Sequence, residues 1–173
     1  MSGIYDQYQK YGVKNYYKQF SEQYKNPHEQ KITELYIKYI KNLISSEDII
    51  LDIACGDGLI SKLVNKYNNN YNVKGTDPYF KNSYCHYNCS FEDIALGNIK
   101  DKYNIAICCY AYHLLENSWQ FSFLNSLAEI TDTFIIITPS KKINIVHPRW
   151  SLVKEFREDK ITILVVEAKL LSP

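Results

Sequence analysis

Residues 49–58 read Ile49-Ile50-Leu51-Asp52-Ile53-Ala54-Cys55-Gly56-Asp57-Gly58. The first part is an apolar run, interrupted only by Asp52 and closed by small residues. A run of this kind, without the alternation of a half-exposed strand, suits a central parallel strand buried on both faces. Gly56 and Gly58 then let the backbone turn sharply and approach a ligand with no Cβ in the way. A helix is expected from Leu59 to Tyr67, with Ser61 at the third small position of a G-x-G-x-x-G/A pattern. A G-x-G alone is weak evidence, because simple tight turns also use it; the strand before it and the helix after it give it weight.

The flanking sequence repeats the strand-then-helix rhythm. Asn68-Asn69-Asn70 breaks the first helix, and a strand over Tyr71–Thr76 ends at Asp77-Pro78. A short third strand is expected at Tyr84–Asn88, and Ser90-Phe91-Glu92-Asp93 opens a loop or short helix. Tyr103–Cys109 is the fourth strand, Leu114–Ile130 a helix, and Phe134–Thr138 the fifth strand. Trp150–Phe156 and Ile161–Ala168, joined through Glu158-Asp159, read as an antiparallel hairpin; helix is the rival reading for Trp150–Arg157. Upstream, Asn26 is placed to cap a helix with Pro27 at its first position and Glu29 at the third, running to about Leu43. Its expected buried stripe is Ile32, Leu35, Tyr36, Tyr39, Ile40 and Leu43. Alternating strands and helices call for a mostly parallel sheet covered on both faces, in one domain spanning residues 1–173. The first 25 residues are polar and tyrosine-rich at spacings near three and four. They are expected to form one or two helices outside the sheet that act as a lid covering the site.

The balance of 46% hydrophobic and 23% charged residues over 173 residues is that of a globular domain. A net charge of +1 makes no strong electrostatic case for nucleic acid or an anionic membrane. The five cysteines, Cys55, Cys85, Cys89, Cys108 and Cys109, include no Cys-x-x-Cys pair. No secretory signal is read at the start and no apolar run reaches transmembrane length, so a reduced cytosol is the expected compartment. Cys85-His86-x-x-Cys89 lies in a strand-like stretch whose alternate residues face opposite ways, so no metal site is expected there.

Asp77 follows Gly56 by 21 residues and ends the second strand. An acid at that place receives the two ribose hydroxyls of an adenosine-containing ligand, while a loop acid before proline is the bland alternative. Pro78 and Tyr79 are placed to pack on the adenine. Asp52 and Asp57 separate two cofactors. A carboxylate beside this loop repels a dinucleotide's pyrophosphate but suits the ammonium and sulfonium of S-adenosylmethionine. The alternative for Asp52 is an acceptor of backbone bonds within the glycine loop.

With these residues in place, the segment resembles motif I of the class I S-adenosylmethionine-dependent methyltransferases, [D/E]-x-[G/A]-x-G-x-G. Asp52, Ala54, Gly56 and Gly58 stand at the matching positions, and the resemblance covers about residues 26–169. It implies a Rossmann-like sheet of order 3-2-1-4-5-7-6 with strand seven antiparallel. It also implies S-adenosylmethionine as cofactor and S-adenosylhomocysteine as product. The implied cofactor residues are Asp52, Ala54, Cys55, Gly56, Asp57, Gly58, Asp77 and Pro78, with Ser90, Phe91 and Glu92 around the adenine edge and Cys109 after the fourth strand. Ser90 stands where an acid is common, which leaves the adenine amino contact to Glu92, Asp93 or a backbone carbonyl. The segment between strands five and six lacks the family's usual helix.

His113 is the first candidate for a general base and Tyr112 the second, since both follow the fourth strand's C-terminal end. The same position also suits a histidine packed at a helix start. Lys141 and Lys142 are candidates for holding an acidic substrate, or are simply solvated. The expected acceptor is a small molecule rather than nucleic acid, because the basic residues are scattered among acids. Rival readings are a non-catalytic S-adenosylmethionine-binding or partner-binding module with a degenerate methyltransferase fold, and an RNA methyltransferase. A nicotinamide oxidoreductase is disfavoured by Asp52 and the closing hairpin.

Overall fold

In the computed structural model, residues 4–20, 26–139, 143 and 145–169 are described. Strand β1 (Ile50–Ile53) is buried at every position, as its apolar run requires. It lies between two parallel neighbours, β2 (Val73–Thr76) and β4 (Tyr103–Cys109), with Asp52 opposite Gly75 on one side and Ile107 on the other. Beyond β2 lies β3 (Cys85–Tyr87), and beyond β4 lies β5 (Thr131–Thr138), both parallel. Strands β6 (Trp150–Glu158) and β7 (Ile161–Ala168) complete the order β3-β2-β1-β4-β5-β7-β6, with β7 antiparallel to β5. The pairing of β6 with β7 removes the helical alternative for Trp150–Arg157. Asp159 turns the hairpin in a left-handed conformation, φ 55°.

The strands of β1 sort their side chains by the period of two. Leu51 and Ile53 enter a core with Phe123, Leu127, Phe134 and Trp150. Ile50 enters the opposite core, with Ile32, Leu35, Leu63 and Val64. The first core is covered by α5 (Phe91–Ala95) and α6 (Asn117–Ile130), the second by α3 (Glu29–Leu35) and α4 (Leu59–Asn68). Asp52 shares the Ile50 side, so it faces α4. Burial of each large apolar side chain contributes about 1.5–3 kcal/mol, which favours this arrangement over one exposing either stripe.

Helix α3 continues through a π turn (Tyr36–Ile40) and a 3-10 turn (Lys41–Leu43), the expected extent. Its start differs from the expected capping box: Asn26 Oδ1 accepts the His28 amide at 2.9 Å in the turn before it, and the helix itself begins at Glu29, with His28 at the N-cap and no side-chain cap. Tyr39 and Leu43 are only partly buried, so the stripe is narrower than its spacing suggests. Glu158, at the hairpin tip, accepts from Lys31 Nζ at 2.8 Å, Lys38 Nζ at 2.7 Å and Tyr39 Oη at 2.9 Å. These bonds latch the first core helix to the last hairpin.

Two short helices, α1 (Ile4–Tyr11) and α2 (Val13–Phe20), precede the core and are joined at Gly12, φ 74°. The Tyr17 ring stacks on Tyr79 with centroids 6.1 Å apart and lies 6.3 Å from that of Phe80. Between β5 and β6 no helix is formed among the described residues; Lys141 and Lys142 lie outside them. Among the described residues no helix is long and apolar enough to cross a membrane.

Candidate functional site

The turn after β1 needs left-handed backbone at Ala54 (φ 55°), Gly56 (φ 54°) and Gly58 (φ 82°). It is closed by the chain's own groups. The Gly56 amide donates to Asp77 Oδ2 at 3.1 Å, and Asn82 Nδ2 donates to the Gly56 carbonyl at 2.8 Å. The Gly58 amide donates to the Cys55 carbonyl at 2.8 Å. A Cβ on Gly58 would stand 2.3 Å from Cγ of Tyr84, so that ring, rather than a ligand, occupies the space the glycine leaves.

Asp77 ends β2 and accepts three backbone amides: Gly56, Tyr79 at 2.8 Å and Phe80 at 3.2 Å. Burial raises its pKa and these amides oppose the rise. Asp52 is buried and its Oδ2 accepts the Ser61 hydroxyl of α4 at 3.0 Å. Burial pushes its pKa up to about 7, against the Ser61 bonds and with help from the negative fields of Asp77 and Asp57. The Ser61 bond differs from the glycine-loop amides anticipated as the bland role of Asp52. Asp57 has Lys62 Nζ at 3.8 Å. Ser90 caps α5: its Oγ accepts the Asp93 amide at 3.2 Å and Asp93 Oδ2 accepts the Ser90 amide at 2.9 Å. Asp93 is thereby committed to the cap.

A cavity with about 1110 Å³ of empty volume, part of it open solvent, lies at the C-terminal ends of β1, β2 and β4. Its wall brings together Asp52, Ala54, Cys55, Gly56 and Asp57 from the β1 turn, and Asp77 and Pro78 from the β2 exit. Ser90, Phe91 and Glu92 join from the start of α5, and Cys109 from the end of β4. Gly58 is not on the wall. Neither candidate base lines it. A 3-10 turn over Tyr112–Leu114 carries Tyr112 into the core, where it is buried with its ring centroid 6.2 Å from that of Phe123 and 5.9 Å from that of Phe134. His113 is left exposed on the same turn.

The β4 exit reaches the cavity through Tyr110, Ala111 and Leu114 instead. Tyr110 holds a left-handed backbone, φ 56°, and its amide donates to the Ile137 carbonyl at 2.7 Å. Its ring lies 4.9 Å from that of His28, and burial raises its hydroxyl pKa to about 12. Sequence reasoning missed Tyr110, Glu116 and Tyr17 as wall residues. Adjacency to a strand's C-terminal end would have marked Tyr110; nothing local marks Tyr17. Five carboxyl residues, Asp52, Asp57, Asp77, Glu92 and Glu116, line the cavity, and among the described residues no lysine, arginine or histidine does. This is a setting for a positively charged organic ligand. Among the described residues no group of three or more His, Cys, Asp or Glu is arranged to hold a metal ion.

No family model matches the sequence, and no curated protein matches it. Solved structures match the fold. The magnesium protoporphyrin IX methyltransferase of Synechocystis PCC 6803, with bound S-adenosylmethionine, is similar at 13% identity and a TM-score of 0.56, over 82% of this chain and 80% of that one. The 16S rRNA methyltransferase RmtF, in complex with S-adenosyl-L-homocysteine, is similar at 13% identity and a TM-score of 0.60, over 82% of this chain and 64% of that one. The ribosomal protein L11 methylase of Lactobacillus delbrueckii subsp. bulgaricus is similar at 10% identity and a TM-score of 0.55, over 85% of this chain and 81% of that one. Strand order, the antiparallel β7 and these likenesses together give the chain the fold of the class I S-adenosylmethionine-dependent methyltransferases.

Proposed function

We propose that the chain binds S-adenosylmethionine in this cavity and directs methyl transfer to a small-molecule acceptor. The observation that carries the reading is the acid-lined cavity joining the glycine turn, Asp77 and the Ser90–Glu92 segment. Asp52 and Asp57 stand where the methionine end, with its ammonium and sulfonium, gains most from negative charge. Asp77 has about four lone-pair sites and uses three on backbone amides, which leaves capacity for a ribose hydroxyl. The Gly56 and Gly58 amides are committed within the turn, which disfavours a dinucleotide's pyrophosphate.

The cofactor supplies a methyl group already activated on a sulfonium. The residues of this chain then have positioning and water exclusion as their main tasks. Tyr17, Tyr79 and Phe80 supply aromatic surface beside Asp77, and Tyr110 and Leu114 add to the lining from the β4 exit. With its pKa raised to about 12, the Tyr110 hydroxyl is a hydrogen-bond donor at neutral pH, suited to orienting an acceptor rather than deprotonating it.

A second reading, a cofactor-binding module without turnover, is favoured by the position of His113 and Tyr112 off the cavity wall. Calorimetry with S-adenosylmethionine and S-adenosylhomocysteine tests binding, and labelled-methyl transfer into separate small-molecule and RNA pools tests turnover. Binding plus label in small molecules is expected. Binding without label in either pool selects the module, and label in RNA overturns the acceptor class.

A further inference from the structure

The carboxylates around the cavity are not equally compensated. Asp77 has its three amides, and Asp57 has Lys62. Asp93, nearby on α5, is held by both arms of its capping box. Asp52 is the most buried acid of the wall, and it is bonded by the hydroxyl and the backbone of Ser61, both of them neutral donors. A buried carboxylate bonded by neutral donors and without a countercharge is costly, and such a group keeps its proton until a positive charge arrives.

The surroundings of Asp52 from each packed element agree. From β2 and its exit come Gly75, Thr76 and the carboxyl of Asp77. From β4 come Ile107 and the thiols of Cys108 and Cys109, whose pKa values are raised by burial first and by Asp52 as well. From the turn and α4 come the Cys55 thiol, Asp57 and Ser61. The charged groups among these are acids. Lys62 of α4 pairs with Asp57.

We propose that the cationic cofactor enters this site in exchange for a proton: Asp52 is a neutral carboxylic acid in the empty cavity and gives up its proton when S-adenosylmethionine binds. The O–H bond of the Asp52 carboxyl breaks, the proton passes to the solvent buffer, and the remaining carboxylate faces the incoming positive charge while Ser61 continues to donate to Oδ2. A pKa near 7 in the empty site, raised chiefly by burial, is in keeping with this exchange. The inference rests on the cofactor reading above, and it adds that affinity is set by pH through one named carboxyl.

The test is calorimetry of the full chain with S-adenosylmethionine between pH 5.5 and 8.5, in buffers of differing ionisation heat. Close to one proton should be released per cofactor at the acid end and none at pH 8.5. Affinity should rise about tenfold per pH unit below the transition. Asp52→Asn should bind more weakly with no proton release at any pH. Ser61→Ala, which removes the one hydroxyl donor, should carry proton release to higher pH and covers the case in which Asp52→Asn fails to fold. Binding without proton release at pH 5.5, or release that persists in Asp52→Asn, overturns the exchange and leaves the cofactor reading standing. Failure to bind at every pH overturns the cofactor reading itself.

Discussion

Tyr84 lays its ring against the backbone of Gly58, so closely that a Cβ there would stand 2.3 Å from Cγ and 2.4 Å from Cδ2. The two residues are far apart in sequence, and their contact makes the second glycine a packing requirement of the fold. Gly58→Ala should therefore cost about 2–4 kcal/mol, from left-handed backbone plus overpacking. Gly56→Ala meets only the Phe80 ring edge at 4.0 Å and should cost about 1–2 kcal/mol, the backbone part alone. Urea denaturation of both variants checks the order; equal losses would count against the Tyr84 contact.

Asp77 should matter to the protein with no ligand present. Asp77→Ala leaves the Gly56, Tyr79 and Phe80 amides without their acceptor and should lower stability by about 2–4 kcal/mol. Asp77→Asn keeps an acceptor oxygen and should lose less. Unchanged melting of the alanine variant would mean that the loop finds other partners, and would return Asp77 to a purely ligand-binding role.

Stability should fall as pH rises from about 4 to about 7. The folded pKa of Asp52, about 7, exceeds its ordinary 3.8, so in this interval the folded chain holds a proton the unfolded chain has lost. At about 1.36 kcal/mol per pH unit the loss is on the order of 4 kcal/mol. Glu158 works in the opposite sense. Its pKa is lowered to about 2, chiefly by its hydrogen bonds from Lys31 and Lys38, so its stabilisation is present above 4.5 and is lost as pH falls toward 2. Thermal melts across this range should show a maximum near pH 4–5, and Asp52→Asn should flatten the neutral side.

The aromatic contact of α2 with the cavity should bear on binding more than on folding. Tyr17→Ala removes the ring that stacks on Tyr79 and lies against Phe80. It should weaken S-adenosylhomocysteine binding about tenfold, the worth of one aromatic contact near 1.4 kcal/mol, with little change in melting. A large drop in melting with unchanged affinity would assign α2 to the core and end its reading as a cover.

What the sequence disclosed and what it hid follow from the range of the forces involved. The buried run at Ile50–Ile53, the glycine turn and the hairpin are written in neighbouring residues, and the structure has them in those places. Strand order came with the resemblance. The Ser61 bond of Asp52 spans nine residues, and the amides that Asp77 accepts include one 21 residues away. Neither bond leaves a local trace. A place after β4 marks both Tyr112 and His113 in the sequence, but a 3-10 turn rotates Tyr112 into the core and His113 to solvent, and Tyr110 takes the wall. Tyr110 and Ala54 adopt left-handed backbone that favours glycine, so nothing in their side chains announces the turn.

The latch at Glu158 also has a consequence for the order of assembly. Its bonds to Lys31, Lys38 and Tyr39 span 127, 120 and 119 residues. During synthesis α3 emerges long before its partner exists, and it waits for the β6–β7 hairpin before that bond can close. Contacts of such separation make folding slow, because the loop must be closed before the contact returns any stabilisation. A latch that closes late adds to the barrier against opening rather than to the speed of folding. Glu158→Gln should then hasten unfolding in a stopped-flow experiment while leaving the refolding rate near that of the parent chain.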